Sequence, residues 1–96
     1  MSDAAASFEF IYRDRAFAVH VTPGERLALL YEGVVRKERA HLGREPLYVW
    51  TNVELEWEEH HYVEVRYWPS SGAVQATVNG ARVHEWQVPS GGIGSA

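Results

Sequence analysis

The chain reads as an all-β protein: an antiparallel sandwich or flattened barrel of seven or eight strands, connected mostly by hairpins. Three observations predict this. Turn signals recur about every 8–12 residues, which is the spacing of a sandwich or barrel. Between them, apolar and polar residues alternate with the two-residue period of a half-buried strand. Near the C-terminus stands Asn79-Gly80, the strongest short hairpin signal, because a type I′ turn needs positive φ at both central residues.

The first element is "SFEFIYR", where Phe8, Phe10 and Tyr12 alternate, and Asp14-Arg15 is expected to turn the chain. "AFAVHVT" follows, with Phe17, Val19 and Val21 on one face. "PGE" (Pro23 to Glu25) is a turn, since Pro presets φ and Gly permits a positive one. "RLALLY" is a short apolar strand, and Glu32-Gly33 leads into "VVRKER". Residues 34–42 fit a strand paired with "RLALLY", or a short helix stopped by Gly43 and Pro46. A helix would present only Val35, Arg39 and Leu42 on one side, a thin apolar stripe, so strand is favoured.

From Leu47 to Trp68 the chain runs for 22 residues without Gly or Pro. As one strand this would span on the order of 70 Å, against a radius of gyration of about 13 Å for a domain this size. The run must fold back, and "EEHH" (Glu58 to His61) is its polar middle. Val53, Leu55 and Trp57 share parity with Val63, Val65 and Tyr67. Apolar residues belong opposite one another on a buried face, so the loop between has an odd number of residues. A loop "EHH" pairs Trp57 with Val63 and Val53 with Tyr67. A loop moved back by one residue is the competitor. Next, "PSSG" sets Tyr67 opposite Val74, and the Asn79-Gly80 turn sets Val78 opposite Ala81 and Ala76 opposite Val83. In this register Trp68 and Trp86 share a row on the nominally polar face, with Trp50 close by.

With the strands laid out, "GERLALLYEGVVRKERAHLG" followed by "HYVEVRYWPSSGAVQATVNGARV" resembles the β-sandwich domain of the Fas apoptotic inhibitory molecule family. The likeness covers residues 17 to 84, and its motifs are mostly hairpin chemistry. That family pairs two such domains, whereas this chain has the length of one. The resemblance implies an antiparallel sandwich that works through protein contacts and not catalysis.

Composition sets outer limits on function. A chain of 96 residues, with 46% apolar and 12% aromatic residues, suits one folded domain, residues 1–96, with flexible ends at about 1–6 and 90–96. The net charge is −4, and Glu38 interrupts the densest basic stretch, "RKER". Binding to nucleic acid through phosphate neutralisation is therefore not expected. The sequence holds no cysteine, which removes disulfides, thiolate metal sites and thiol nucleophiles and fits the cytosol best. No N-terminal signal pattern and no membrane-length apolar run is present. A cytoplasmic protein without membrane attachment is expected.

Among the chemical constellations, Glu58, Glu59, His60 and His61 read as a solvated loop tip. Neighbours on a strand point to opposite faces, so the two histidines do not converge on one ion. Ser70, His84 and Glu85 lack any nucleophile motif around the serine. Glu54, Glu56 and Glu64 read as a solvated strand face beside Arg66 and Arg82. No enzymatic activity, metal or cofactor is expected. The candidate binding residues are Trp50, Trp68 and Trp86 with Arg66 and His84, an aromatic patch with a polar rim of the kind that holds a protein partner or a sugar. The leading expectation is a non-enzymatic interaction module with a protein partner or self-association. The alternative is a β domain that binds a small apolar or carbohydrate ligand.

Overall fold

The computed structural model describes residues 6–56 and 59–88. Eight strands follow one another: β1 (Ala6–Tyr12), β2 (Arg15–Thr22), β3 (Arg26–Tyr31), β4 (Val34–Ala40), β5 (Leu47–Glu56), β6 (Glu59–Trp68), β7 (Ala73–Val78) and β8 (Ala81–Gln87). They form two antiparallel four-stranded sheets in simple sequence order, β1-β2-β3-β4 and β5-β6-β7-β8. The sandwich expected from the alternation is the fold. The residues expected to fray lie mostly outside the described residues, although Ala6 opens β1.

Each tight turn has a local cause. Arg13 and Asp14, Glu32 and Gly33, and Asn79 and Gly80 all adopt positive φ, the signature of two-residue hairpin loops. The first turn is thus Arg13-Asp14, one residue before the expected Asp14-Arg15, so that Tyr12 pairs with Arg15. Residues 34–40 are strand, as the thin apolar stripe argued.

The core lies between the sheets. Phe10, Phe17, Val19, Val21, Leu27 and Leu29 from the first sheet meet Leu47, Val49, Val53, Val63, Val65, Tyr67, Val74, Ala76 and Val78 from the second. The alternation that predicted these faces reflects the pleat, which sends successive side chains to opposite sides. Tyr67 is a polar-tipped member of the core. Its hydroxyl accepts from the Gly24 N–H at 3.0 Å and so ties β6 to the β2–β3 turn.

The hairpin β5–β6 differs from the expected register. Parity holds, but Val49 faces Val65, Thr51 faces Val63 and Val53 faces His61. β5 ends at Glu56 and β6 begins at Glu59, with an irregularity between Glu54 and Glu56. The physical reason lies at the far end. A loop at residues 59–61 would carry Leu47 and Val49 beyond the end of β6, without apolar partners. The observed register sets Leu47 against Tyr67 and buries both. The expected core side chains Leu55 and Trp57 lie outside the side chains described.

"EHH" is therefore strand and not loop tip. His60 is exposed, and His61 is only 4% exposed on the core face. A buried imidazole needs partners. The Asn79 amide donates to its Nδ1 at 3.1 Å, and the Tyr12 hydroxyl lies 3.3 Å from the same atom.

Candidate interaction face

The five residues expected to bind together are divided by a single bulge. β7 and β8 pair as foreseen at Val78–Ala81, but the register shifts between Ala76 and Thr77. Ala76 then faces His84 in place of Val83, and Val74 faces Trp86. A bulge adds one residue to one strand and reverses the faces of everything beyond it. Without it, Glu85 would point into the core and Trp86 into water. With it, Glu85 lies outside within 3.4 Å of Arg82, and Trp86 turns inward. Exchanging a buried carboxylate for a buried indole is strongly favourable. Trp86 stacks on Phe8 (centroids 5.1 Å apart) and on His84 (5.4 Å), and His84 lies 5.2 Å from Phe10. These contacts fasten β8 to β1 at one side of the sandwich.

Trp50, Arg66 and Trp68 remain on the outer face of the second sheet, on strands β5 and β6. Trp50 does not adjoin Trp68, however. It pairs with Glu64, while Trp68 pairs with Ala73 at the far end. The neighbours of Trp50 are residues the sequence analysis passed over. Tyr62 lies 6.1 Å away, centroid to centroid, and Lys37 reaches across from β4 to within 5.5 Å of the indole. Arg66 stacks over Tyr48 at 4.8 Å. Exposed cation–π pairs of this kind contribute about 0.5–1 kcal/mol each and hold the rings in fixed orientations.

Glu64 organises the centre of this face. It accepts from the Tyr48 hydroxyl at 2.6 Å and from the Thr77 hydroxyl at 3.1 Å, and Arg66 lies 3.9 Å from it. The hydrogen bond to Glu64, followed by partial burial and the Glu64 charge, raises the Tyr48 hydroxyl above the ordinary tyrosine range, against the opposing pull of Arg66. At neutral pH Tyr48 therefore keeps its proton and donates it to Glu64. Trp50 is 40% exposed and Tyr62 50%, so their rings stand open beside this network.

The signal that could have found Tyr48 and Tyr62 is parity. Both share the even numbering of Trp50, Glu64 and Arg66. The contribution of Lys37 was not readable, because it comes from the other sheet. Among the described residues no group of three or more His, Asp or Glu side chains has metal-binding geometry, and no helix is long and apolar enough to cross a membrane.

Fold and surface together define an eight-stranded antiparallel sandwich with an aromatic outer face. Comparison with known family models, with curated proteins and with solved structures finds no match to this chain.

Proposed function

We propose that the protein is a non-enzymatic interaction module that binds a protein partner through the outer face of its second sheet. The observation that carries this is the open pair Trp50 and Tyr62, framed by Lys37, Arg66 and Tyr48 around the satisfied carboxylate of Glu64. Tyr, Trp and Arg are the residues enriched at the energetic centres of protein interfaces. Their side chains are already oriented here by cation–π and hydrogen-bond contacts, which lowers the entropy lost on binding. Of the five residues expected from the sequence, Trp50, Arg66 and Trp68 belong to this face. Trp86 packs against the core instead, and His84, itself exposed, stacks on it away from this face. The resemblance to the Fas apoptotic inhibitory molecule family points the same way, toward protein contacts, as does the expectation of a cytoplasmic protein.

The test is photo-crosslinking from position 62 in the full chain, carried out in cells. A partner crosslinked from position 62, and lost when Trp50→Ala is added, supports the proposal. Equal capture with and without Trp50 overturns it.

A second reading, a small-ligand binder, draws on an open hollow of about 430 Å³ on the outer face of the first sheet, lined by Ser7, His20, Thr22, Ala28 and Val35. A fragment screen by NMR that produces selective shifts at His20 and Ala28, and none at Tyr62, favours it over the first.

A further inference from the structure

The two sheet edges on the β4–β5 side are treated differently. A register shift between Leu29 and Leu30 gives β4 one extra residue, Arg36. A bulge re-aims side chains, and here Arg36 and Lys37 both reach β5. Arg36 donates to the Asn52 carbonyl at 3.4 Å, and Lys37 lies over Trp50. The β5 edge is thereby covered, while the β4 edge is left open.

All seven residues of β4 are exposed, and the strand is the last of its sheet. The His41 N–H donates to the Glu25 carbonyl at 2.7 Å, toward β3. Alternate residues of an antiparallel strand direct their backbone groups to opposite sides. Glu38 and Ala40 therefore aim theirs away from β3, toward an unfilled strand position.

The surroundings of that position are basic. Four of the nine Lys and Arg residues of the chain fall between positions 36 and 44. Arg39 and Arg44 line a hollow of about 340 Å³ next to Leu42, which is 80% exposed. Neither arginine has an ion-pair or hydrogen-bond partner among the described residues. Glu38, the one acid on the strand, is engaged by Arg26 at 3.3 Å. A second copy would present the same cationic strip, which opposes edge-to-edge pairing of like strands.

We propose that β4 accepts an extended, acidic segment of a partner protein as a fifth strand of the first sheet. Backbone pairing to Glu38 and Ala40 holds the segment. Its acidic residues, at alternate positions, face Arg39 and Arg44. The residues between them are apolar and lie beside Val35 and Ala40, on the outer side, where Val35 and Glu38 also line the 430 Å³ hollow. This is recognition by strand addition, with specificity from alternate side chains. It uses a surface distinct from the Trp50–Tyr62 face, so either can fail without the other.

The test uses the isotope-labelled full chain and two synthetic peptides at low salt, acetyl-EVEVEVE-amide and acetyl-KVKVKVK-amide. The acidic peptide is expected to shift the amides of Val35 to Ala40, and the basic one to leave them unmoved. Arg39→Glu with Arg44→Glu is expected to weaken binding at least about tenfold. Ala40→Pro removes an outward N–H without breaking a β3–β4 bond, a position where edge strands tolerate proline, and is expected to weaken binding to a similar degree. If Ala40→Pro unfolds the chain, the same acidic peptide N-methylated at alternate residues replaces it and is expected not to bind. No shift at millimolar acidic peptide, equal binding of the basic peptide, or shifts confined to Trp50 and Tyr62 would overturn the proposal. So would full binding to Ala40→Pro, or by the N-methylated peptide, which would mean ionic contact without strand addition.

Discussion

Replacing Trp86 with Ala separates two pictures of β8. In the straight register read from the sequence, Trp86 lies on the outer face, and its loss would cost little. In the bulged register it packs on Phe8, Phe10 and His84. Full burial of a tryptophan makes Trp→Ala cost about 3–5 kcal/mol. Trp86 is half-buried, so about 2–3 kcal/mol is expected. For a small domain with a urea dependence of about 1–1.5 kcal/mol per M, the unfolding midpoint should fall by roughly 1.3–3 M. The melting temperature should fall by roughly 10–20 °C. Trp50→Ala is the matched control. Its indole is 40% exposed, and its loss should cost no more than about 1 kcal/mol. Urea unfolding followed by far-UV circular dichroism measures both. Equal midpoint shifts for the two variants would refute the inward placement of Trp86.

Other outcomes follow from the same contacts. Asn79 accepts from the Tyr62 N–H at 2.9 Å, donates to His61, and holds φ at 52°. Asn79→Ala should therefore destabilise by about 2–3 kcal/mol in chemical denaturation, and Asn79→Gly by less, because Gly keeps the turn geometry. Gly72 has φ +82°, and an added Cβ would stand 2.7 Å from the Val88 carbonyl oxygen. Gly72→Ala should cost about 2 kcal/mol or more, read as a lower thermal midpoint. The raised Tyr48 hydroxyl binds its proton more tightly in the folded state than in the unfolded one. Its contribution to stability is present below the ordinary tyrosine range and is lost as pH rises through the elevated folded value. Glu64→Gln removes the Glu64 charge and replaces a carboxylate acceptor with a weaker amide one, which reduces the elevation. Ultraviolet titration should then find Tyr48 ionising at lower pH than in the parent chain.

Much of the fold was legible because parity is a robust property of strands. Val63, Val65, Val74 and Val78 were assigned to the buried face from alternation and turn register, and all are buried, as are the alternating Phe17, Val19 and Val21. The pairing of Tyr67 with Val74 followed from "PSSG". Bulges and chain ends were the parts that could not be read. The shift at Ala76/Thr77 has no local mark in "NGARVHEW". It arises because an inward Trp86 meets Phe8 and Phe10, which are more than seventy residues earlier in the sequence. The β5–β6 register was misread for a related reason. It is decided by burial at Leu47 and Val49 and not by the polarity of "EEHH". That stretch looked like a turn because it holds four polar residues in a row, yet His61 is a core residue with its own partners. The candidate face was legible by half. Trp50, Arg66 and Trp68 were found from parity, while the part played by Lys37 required knowing how β4 overhangs β5.

The division of aromatic residues between core and outer face is tested most directly by a two-dimensional NOE spectrum of the full chain. Cross-peaks are expected between the Trp86 indole and the Phe8 ring, whose centroids are 5.1 Å apart, and between the His84 and Phe10 rings at 5.2 Å. Cross-peaks from Trp86 to Trp68 in their place would return Trp86 to the outer face and contradict the bulged register.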